Sequence, residues 1–316
     1  MRVFVAGATG ALGKRLVPML VQSGHSVAAM TRRPQKAGAI EASGATPVVA
    51  DALDGAAVGE AVRGAEPEVV VHQLTALTGL TGNPRRFDRE FETTNRLRTE
   101  GTDHLLRAAR ESGARRFVAQ SFAGWPYARG GGPAKTEDDP LDPDPPAAVG
   151  ETLGAIRHLE TAVTGADGVD GVVLRYGGFY GPGTSIARGE ADGFQEAIRK
   201  RRFPVLGAGT GVWSFVHIDD AASATLAAVE RGEPGVYNVV DDDPAQVSEW
   251  LPALADAIGA KPPRRLPLSV GRLVGGELAV SMMTEVRGAS NAKAKRELGW
   301  QPTYPSWREG FRTGLG

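Results

Sequence analysis

The sequence predicts an α/β protein with a doubly wound parallel sheet and a smaller, non-sequential C-terminal lobe. Three observations support this fold class. Short, almost uninterrupted apolar runs alternate with helix-like segments as far as Arg175, which is typical of parallel strands buried on both faces. A glycine-rich turn separates the first apolar run from the first helix-like segment. After Arg175 the alternation gives way to an irregular loop and then to helices broken by prolines.

Each element of the first half has its own sequence pattern. The predicted strands are short β-rich runs: Val3–Ala6, Ser26–Met30, Pro47–Ala50, Val69–His72, Phe117–Gln120 and Val172–Arg175. The segments between them predict helices at Leu12–Ser23, Asp54–Val62, Asn95–Ser112 and Glu151–Val163. Strands alternating with helices indicate parallel crossover units. In such sheets ligands bind beyond the C-terminal ends of the strands, so the residues that follow each strand are the candidates for function.

The second half is predicted to divide between the sheet and a separate lobe. Its elements are a helix at Phe194–Arg201, a strand at Trp213–His217, a helix at Asp220–Arg231 and a strand at Val236–Val240. We expect residues 1–175 to form the nucleotide-binding domain, with 213–240 returning to it. Residues 176–212 and 241–316 are expected to form the substrate-binding lobe.

Composition excludes several classes of function. The chain has 316 residues, a formal net charge of −1 and no cysteine, so disulfides, thiol nucleophiles and cysteine-based metal sites are excluded. A near-neutral chain without a basic run is a poor partner for nucleic acid. No apolar stretch approaches the roughly 20 residues of a membrane span, and the first strand leaves no room for a signal peptide. We therefore expect a cytoplasmic protein that acts on a small molecule.

The turn Gly7-Ala8-Thr9-Gly10-Ala11-Leu12-Gly13 lies between a buried strand and a helix N-terminus. Glycines let the backbone approach a pyrophosphate closely, and the first helical turn offers unpaired N–H groups and a positive dipole end. This context predicts a dinucleotide site rather than a structural turn. The predicted contacts to the dinucleotide are Gly7, Thr9, Gly10, Ala11, Leu12 and Gly13.

The second strand ends in Thr31-Arg32-Arg33, at the edge that faces the adenosine ribose in dinucleotide folds. An acidic residue there would bind a free 2′-hydroxyl, whereas arginine accommodates a 2′-phosphate. NADP(H) is therefore favoured over NAD(H). After the third strand, Asp51 and Ala52 are placed to meet the adenine, although Asp51 could equally cap the helix that begins near Asp54.

Five further motifs follow the glycine turn along the chain: Gly101-Thr102-Asp103-His104-Leu105-Leu106, Phe117-Val118-Ala119-Gln120-Ser121, Leu174-Arg175-Tyr176-Gly177-Gly178-Phe179-Tyr180-Gly181-Pro182-Gly183, Phe215-Val216-His217-Ile218-Asp219-Asp220 and Lys295-Arg296-Glu297-Leu298-Gly299-Trp300-Gln301-Pro302. In this order the six motifs resemble the extended short-chain dehydrogenase/reductases, the NAD(P)-dependent epimerases, dehydratases and reductases. The resemblance covers nearly the whole chain and implies a Rossmann-like domain, nucleotide at the glycine turn and a C-terminal lobe that selects substrate. Homodimers are usual among such look-alikes.

The chain departs from the family at its catalytic residues. The family's acid/base is the tyrosine of Tyr-x-x-x-Lys, and the lysine lowers the pKa of that tyrosine. None of the 5 tyrosines here has a lysine four positions on. Alignment places Thr152 at the tyrosine position and Ile156 at the lysine position. Phe122 stands where the family has the hydroxyl that orients the substrate oxygen. The usual catalytic triad is therefore absent.

Other residues at the strand ends become the candidates. Ser121 and Tyr127 are the predicted proton donors, although Ser121 could instead bond the backbone and a buried tyrosine usually has a structural partner. No metal site is predicted, because His217-Ile218-Asp219-Asp220 resembles a junction in which Asp219 or Asp220 caps the next helix. Further predicted contacts to the cofactor are Thr75, Gln120, Tyr176, Gly178 and Phe179.

These observations predict an atypical NADPH-dependent oxidoreductase acting on a small carbonyl or unsaturated metabolite. A nucleotide sugar is disfavoured, because Trp213 lies in the stretch where members that bind nucleotide sugars carry an arginine for the diphosphate. Two alternatives stay open. One is an NADP(H)-binding sensor or regulator that has lost catalysis, and the other is a non-redox isomerase or lyase on the same fold. Fold alone does not choose among the three.

Overall fold

The computed structural model describes residues 1–77, 79–188 and 193–316. Within these ranges, seven parallel strands form the central sheet in the order β3-β2-β1-β4-β5-β6-β7. This order is that of a Rossmann-like doubly wound sheet with one strand added, and it confirms the predicted fold class. The strands are β1 (Arg2–Ala6), β2 (Ser26–Thr31), β3 (Thr46–Val49), β4 (Val69–His72), β5 (Arg116–Phe122), β6 (Asp170–Tyr176) and β7 (Gly235–Val239).

Helices flank the sheet and build the lobe. Short helical turns occur at Pro34–Lys36, Pro84–Arg86 and Ala147–Val149. No helix in the described ranges combines the length and the apolar character needed to cross a bilayer. The α-helices are α1 (Gly13–Gln22), α2 (Ala37–Glu41), α3 (Gly55–Ala65), α4 (Phe87–Arg96), α5 (Thr102–Glu111), α6 (Gly150–Thr164), α7 (Gly193–Arg199), α8 (Ile218–Glu230), α9 (Val247–Ala257), α10 (Leu268–Thr284), α11 (Ala292–Glu297) and α12 (Trp307–Thr313).

The predicted helix at Asn95–Ser112 was wrong in its start and in its continuity. The chain becomes helical at Phe87, and a π-helical turn at Leu97–Gly101 separates α4 from α5. α4 is strongly charged, and Phe87 and Phe91 are its only apolar residues, so the segment is polar on average although its two rings share one face. This correction matters because α4 lies beside the end of β5.

Both faces of the sheet are buried because alternate strand residues point to opposite sides. In β1, Val3 and Val5 join the core under α1 and α8, whereas Phe4 packs in the core under α3 and α5. The lobe has its own core around Trp250. Phe215 packs edge to face against Trp250, and Phe311 packs edge to face against Phe215. The boundaries of the two units stay a prediction.

Short two-stranded pairs connect the lobe to the sheet domain. Gly178–Tyr180 runs parallel to Phe215–His217, just beyond the C-terminal end of β6. Gly288–Ala289 pairs in parallel with Ala134–Lys135, which joins the segment after α10 to the loop after β5. The remaining pairs are Val205–Leu206 with Arg265–Leu266 and Val212–Trp213 with Ala245–Gln246. The loops that follow β5 and β6 are therefore held against the lobe.

Candidate active site

Two glycines of the glycine-rich turn are required by the fold itself. Gly7 has φ 99°, and a Cβ there would lie 2.6 Å from the carbonyl oxygen of Gln73. A Cβ on Gly13 would lie 2.3 Å from the carbonyl oxygen of Gly7. The short distances show that the turn packs directly against the end of β4 and that its first and last glycines approach each other closely. A larger residue at either position would distort the turn whether or not a ligand is bound.

Gly10 differs, because the protein leaves open space around it. Gly10 is exposed, and the nearest atom to a Cβ there would be the carbonyl oxygen of Gly7, at 3.4 Å. Leu12 at the helix start makes no side-chain cap, and the first turn of α1 carries no acidic residue. The N–H groups of Lys14 and Arg15 bond the carbonyls of Gly10 and Leu12 at 3.0 Å, and the positive dipole end of α1 lies beside this open surface, where it favours an anion.

The end of β2 presents two positive charges without counter-charges. Thr31 is buried, and its Oγ accepts a hydrogen bond from the backbone N–H of Arg33 at 3.2 Å. Arg32 and Arg33 are exposed, and their guanidinium groups bond no side chain or carbonyl in the described ranges. Such guanidiniums can form charge-assisted hydrogen bonds with a phosphate.

The alternative role of Asp51 as a helix cap is wrong. Asp54 caps α3, since its carboxylate accepts from the N–H groups of Ala56 and Ala57 at 3.0 and 3.1 Å. Asp51 closes a local turn by accepting from the N–H of Leu53 at 3.0 Å and is otherwise exposed. Ala52 is buried beneath it. The predicted contact of these two residues with adenine stays a prediction.

Gln73, at the end of β4, carries a polar atom without a partner. Its Nε2 donates to the hydroxyl of Tyr176 at 3.3 Å, and that hydroxyl also lies 2.7 Å from the hydroxyl of Thr225. The buried Oε1 of Gln73 has no hydrogen-bond partner within the described part of the chain. An unsatisfied buried acceptor beside Gly7 fits the hydroxyl or amide donors of a dinucleotide. From the sequence, Gln73 was not assigned to the cofactor.

The other predicted cofactor residues lie near the same edge. Thr75 follows β4, Gln120 lies near the end of β5, and Gly178 and Phe179 follow β6; all four are partly exposed. Tyr176 is different: it is buried, and burial raises the pKa of its hydroxyl well above the usual range. The open turn, the dipole end of α1 and, within the described part of the chain, the unpaired guanidiniums of Arg32 and Arg33 and the Gln73 oxygen without a partner together fit an NAD(P) molecule.

Ser121 and Tyr127, the predicted proton donors, lie in a buried polar network. Ser121 Oγ donates to Glu160 at 2.6 Å. Arg175 donates to both oxygens of the same carboxylate at 2.8 and 2.6 Å, and to the Tyr127 hydroxyl at 3.0 Å. That hydroxyl in turn donates to Asn238 Oδ1 at 2.6 Å. Both hydroxyls are therefore occupied by partners inside the protein, and their catalytic role stays a prediction.

The network shifts the pKa values of its members. Burial raises the pKa of the Tyr127 hydroxyl, although Arg175 opposes the shift. Burial alone would lower the pKa of Arg175, but the hydrogen bonds and charge of Glu160 outweigh it and raise that pKa. Nearby, burial lowers the pKa of Arg98 to about 10 despite the charge of Glu160. Tyr127 is thus held as a neutral phenol, which makes it a weak acid near neutral pH.

The helix that carries the family's tyrosine and lysine offers no acid/base pair here. Thr152 is buried, and its hydroxyl donates to Asp88 at 2.6 Å while accepting from Asn95 Nδ2 at 3.1 Å. Ile156 is buried apolar packing. Arg157, the next residue, donates to the carbonyl of Asp142. Any chemistry at this site must therefore proceed without the Tyr-x-x-x-Lys pair.

The expectation that Asp219 or Asp220 caps α8 was wrong. The ring of His217 caps the helix by accepting from the N–H of Asp219 at 3.2 Å. Asp219 pairs with Arg15 at 3.3 Å. Asp220 accepts from the backbone N–H groups of Thr303 and Tyr304 at 2.7 and 2.9 Å, anchoring the chain end. The three polar side chains thus have separate structural roles.

Four aromatic side chains meet beyond the end of β5. Phe87 stacks on Phe91 with ring centroids 4.2 Å apart and meets Trp125 edge to face at 5.7 Å. Phe122, the last residue of β5, lies 6.5 Å from Trp125. All four rings are partly exposed. Phe122 was singled out from the sequence, but the cluster was missed, because Phe87 and Phe91 fell before the predicted start of the helix.

Comparisons with known proteins agree with this architecture. The model of the "NAD dependent epimerase/dehydratase family" matches residues 3–239. The chain is 47% identical over 314 residues to 3-diazoavenalumate denitrifying reductase from a Streptomyces species, covering 98% of this chain and 99% of the relative. It is 29% identical over 322 residues to 4-hydroxy-2-methyl-3-oxo-4-farnesyl-3,4-dihydroquinoline-1-oxide ketoreductase from Stigmatella aurantiaca, covering 95% and 92%.

Among solved structures, the UDP-glucose 4-epimerase of Thermus thermophilus in complex with NAD is similar throughout. Its TM-score is 0.73 at 25% identity, with 100% of this chain and 98% of that chain covered. The matched family model spans most of the chain, and the Streptomyces relative matches it almost end to end. The chain therefore belongs to the NAD-dependent epimerase/dehydratase family, a family of NAD(P)-binding proteins, and it is an oxidoreductase within that family.

Proposed function

We propose that this protein is an NADPH-dependent reductase that replaces the N2 of a diazo group with hydrogen. The name of the Streptomyces relative combines a diazo substrate with a denitrifying reduction, and the likeness extends over 98% of this chain. Bound NADPH supplies a hydride. The balanced reaction takes an aryl diazonium and NADPH to the arene, N2 and NADP⁺, so the carbon–nitrogen bond breaks as the carbon–hydrogen bond forms.

The observation that carries this proposal is the missing acid/base pair. Reduction of a carbonyl leaves an alkoxide that must be protonated, which is the task of the family's tyrosine. Replacement of N2 by hydride leaves no alkoxide, because the leaving group departs as a neutral gas. Here Thr152 donates to Asp88 and Ile156 is buried, so these two positions hold no acid/base pair. The diazo reaction does not require such a pair.

The direct test uses benzenediazonium-3-carboxylate and NADPH with the purified protein. We expect equal amounts of NADPH consumed, N2 released and benzoate formed, at a rate well above that of the mixture without protein. With NADPH deuterated at the transferred position, benzoate should carry one deuterium. Accumulation of an aryl hydrazine, or NADPH oxidation without N2, would contradict the proposal. Tight NADPH binding without turnover of this compound or of carbonyl compounds would support the sensor instead.

Carbonyl reduction is the second candidate, favoured by the ketoreductase relative that covers 95% of this chain. It requires a proton donor, and Ser121 and Tyr127 are the predicted ones. The two candidates are separated by Ser121→Ala and Tyr127→Phe. For the diazo reaction we expect both variants to keep turnover within about tenfold, since no general acid is used; removal of one typically costs about 10²–10⁴-fold. A loss of that size, with NADPH affinity and melting temperature unchanged, would favour the carbonyl reductase.

The proposed preference for NADPH rests on Arg32 and Arg33. Both guanidiniums are exposed and bond no acceptor in the described ranges, so a 2′-phosphate would be their counter-charge. We expect Arg32→Ala to weaken NADPH binding by about 1.5–3 kcal/mol, the scale of a hydrogen bond to a charged group, with little change for NADH. Calorimetric titration with both nucleotides measures the difference. Equal losses of affinity for NADPH and NADH would contradict the assignment of Arg32 to the 2′-phosphate.

A further inference from the structure

We propose that Phe87, Phe91, Phe122 and Trp125, the aromatic cluster, bind the aryl ring of the substrate. This inference rests on the proposed function and extends it, because it assigns an aromatic substrate class to a defined surface. The first support is packing. The four rings contact one another, yet none of them belongs to the hydrophobic cores of the described residues. Partly exposed aromatic rings grouped outside a core indicate a ligand surface.

The second support is position. Phe122 ends β5 and is in register with Tyr176, the last residue of β6. These strand ends form the edge at which ligands bind in a doubly wound sheet. Phe122 also replaces the hydroxyl that orients a substrate oxygen in the family, so the surface has lost a polar group and gained a ring. Such a change suits a substrate that presents a ring rather than a carbonyl at this point.

The third support is the framework around the cluster. The loop after β4 is fastened to α4 by Thr94, which accepts from the N–H of Ala76 at 3.1 Å. It is also fastened by Glu90, which accepts from the N–H groups of Thr81 and Gly82 at 3.0 and 3.1 Å. Phe87 and Phe91 lie one turn apart on the same helix. These hydrogen bonds thus hold α4, which carries the two rings, against the loop before any ligand binds.

The lobe also contacts residues that lie next to the aromatic cluster. Arg85, two residues before Phe87, donates to the carbonyl of Leu273 in α10. The backbone of Arg287, just after α10, lies 3.8 Å from the Cβ position of Gly124, which precedes Trp125. The aromatic cluster therefore lies where the sheet edge meets the lobe. A ring seated there would contact both halves of the protein.

The chemistry of the cluster suits an electron-poor ring. Aromatic rings attract one another edge to face or in offset stacks, and their faces attract cations. An aryl diazonium is both an aromatic ring and a cation. Phenols are its common targets for azo coupling in their ionised form, and burial raises the pKa values of Tyr127, Tyr176 and Tyr180. These three tyrosines are thus held in the unreactive neutral form.

The test measures binding without turnover. Isothermal titration with NADP⁺ present compares trans-cinnamate with 3-cyclohexylacrylate, which keeps the carboxylate and loses the aromatic ring. We expect cinnamate to bind about tenfold more tightly. Trp125→Leu and Phe122→Leu should each weaken cinnamate about three- to tenfold, the worth of an aromatic pair, and leave NADP⁺ affinity unchanged. Trp125→Phe should retain most of the affinity.

The control is Phe203→Leu, which removes a ring from the lobe core and should leave cinnamate affinity unchanged. Equal affinities for the two acids, or cluster variants that bind cinnamate as the unaltered protein does, would overturn the inference. The result is separate from the proposed function. Cinnamate binding as expected without reduction of the diazonium would leave the aryl site standing and reject the diazo reaction. Reduction of the diazonium, together with cluster variants that bind cinnamate as the unaltered protein does, would support the diazo reaction and reject the aryl site.

Discussion

Gly10→Val should produce a folded protein that no longer binds either dinucleotide. The reason is the contrast within the glycine turn: a Cβ at Gly7 or Gly13 would collide with backbone, whereas at Gly10 its nearest neighbour would be 3.4 Å away. The isopropyl group would therefore occupy the space predicted for the pyrophosphate, at little cost to the fold. We expect NADPH affinity to fall by about 100-fold or more, which corresponds to about 2.7 kcal/mol.

Two measurements are needed for this variant. Calorimetric titration gives the affinity, and thermal unfolding without ligand shows whether the fold is intact. Gly64→Val is the matched control, because Gly64 is exposed near the end of α3 and a Cβ there would contact nothing within 4 Å. It should bind NADPH normally. Normal NADPH binding by Gly10→Val, with an unchanged melting temperature, would place the dinucleotide elsewhere.

Arg175→Met should destabilise the protein by about 3–5 kcal/mol, because it leaves the buried carboxylate of Glu160 without its counter-charge. The cost arises from an unpaired buried charge rather than from the loss of a favourable pair. Replacing both partners, as Glu160→Leu with Arg175→Met, should therefore recover much of the lost stability. Urea unfolding followed by circular dichroism gives the free energies of unfolding.

The comparison pair is Arg96 and Glu100, which form an exposed ion pair on α4 and the following π turn. Arg96→Met should change the free energy of unfolding far less than Arg175→Met, because water solvates the remaining carboxylate. An Arg175→Met protein as stable as the unaltered one would show that Glu160 is not held as a buried carboxylate. A double variant no more stable than Arg175→Met would point to lost packing instead.

The sheet and the dinucleotide turn could be predicted because their patterns are local. β4 was predicted residue for residue at Val69–His72, and the other strands of the sheet differ from the prediction by only a few residues at each end. The predicted strand at Trp213–His217 was wrong, because Val212–Trp213 and Phe215–His217 are two short strands that both pair outside the central sheet. Continuous apolar runs and a glycine turn need no knowledge of distant contacts. The missing tyrosine and lysine could likewise be recognised from spacing alone.

Some of what the sequence did not show depends on contacts between distant segments. α4 is mostly polar, with Phe87 and Phe91 as its only apolar residues, and Phe87 packs against Trp125, far along the chain. The hydrogen bond from Ser121 to Glu160 on α6 could not be read from the sequence either, and the predicted catalytic role of Ser121 stays a prediction. Asp51 was considered as a cap because Asx residues favour that position, and the structure shows Asp54 filling it. The Asp51 error was therefore a local choice between two neighbouring Asx residues, whereas the surroundings of Phe87 and Ser121 depend on tertiary contacts.

The connectivity of the sheet has a consequence for synthesis on the ribosome. β6 ends at Tyr176, but its outer neighbour β7 begins only at Gly235, after a segment that belongs partly to the lobe. The outer edge of β6 therefore has no paired strand while that segment is synthesised. Strand edges without partners are sites of aggregation, and long-range parallel pairing is slow. The growing chain is most vulnerable in this interval, when β1 to β6 can pair and β7 has not yet emerged.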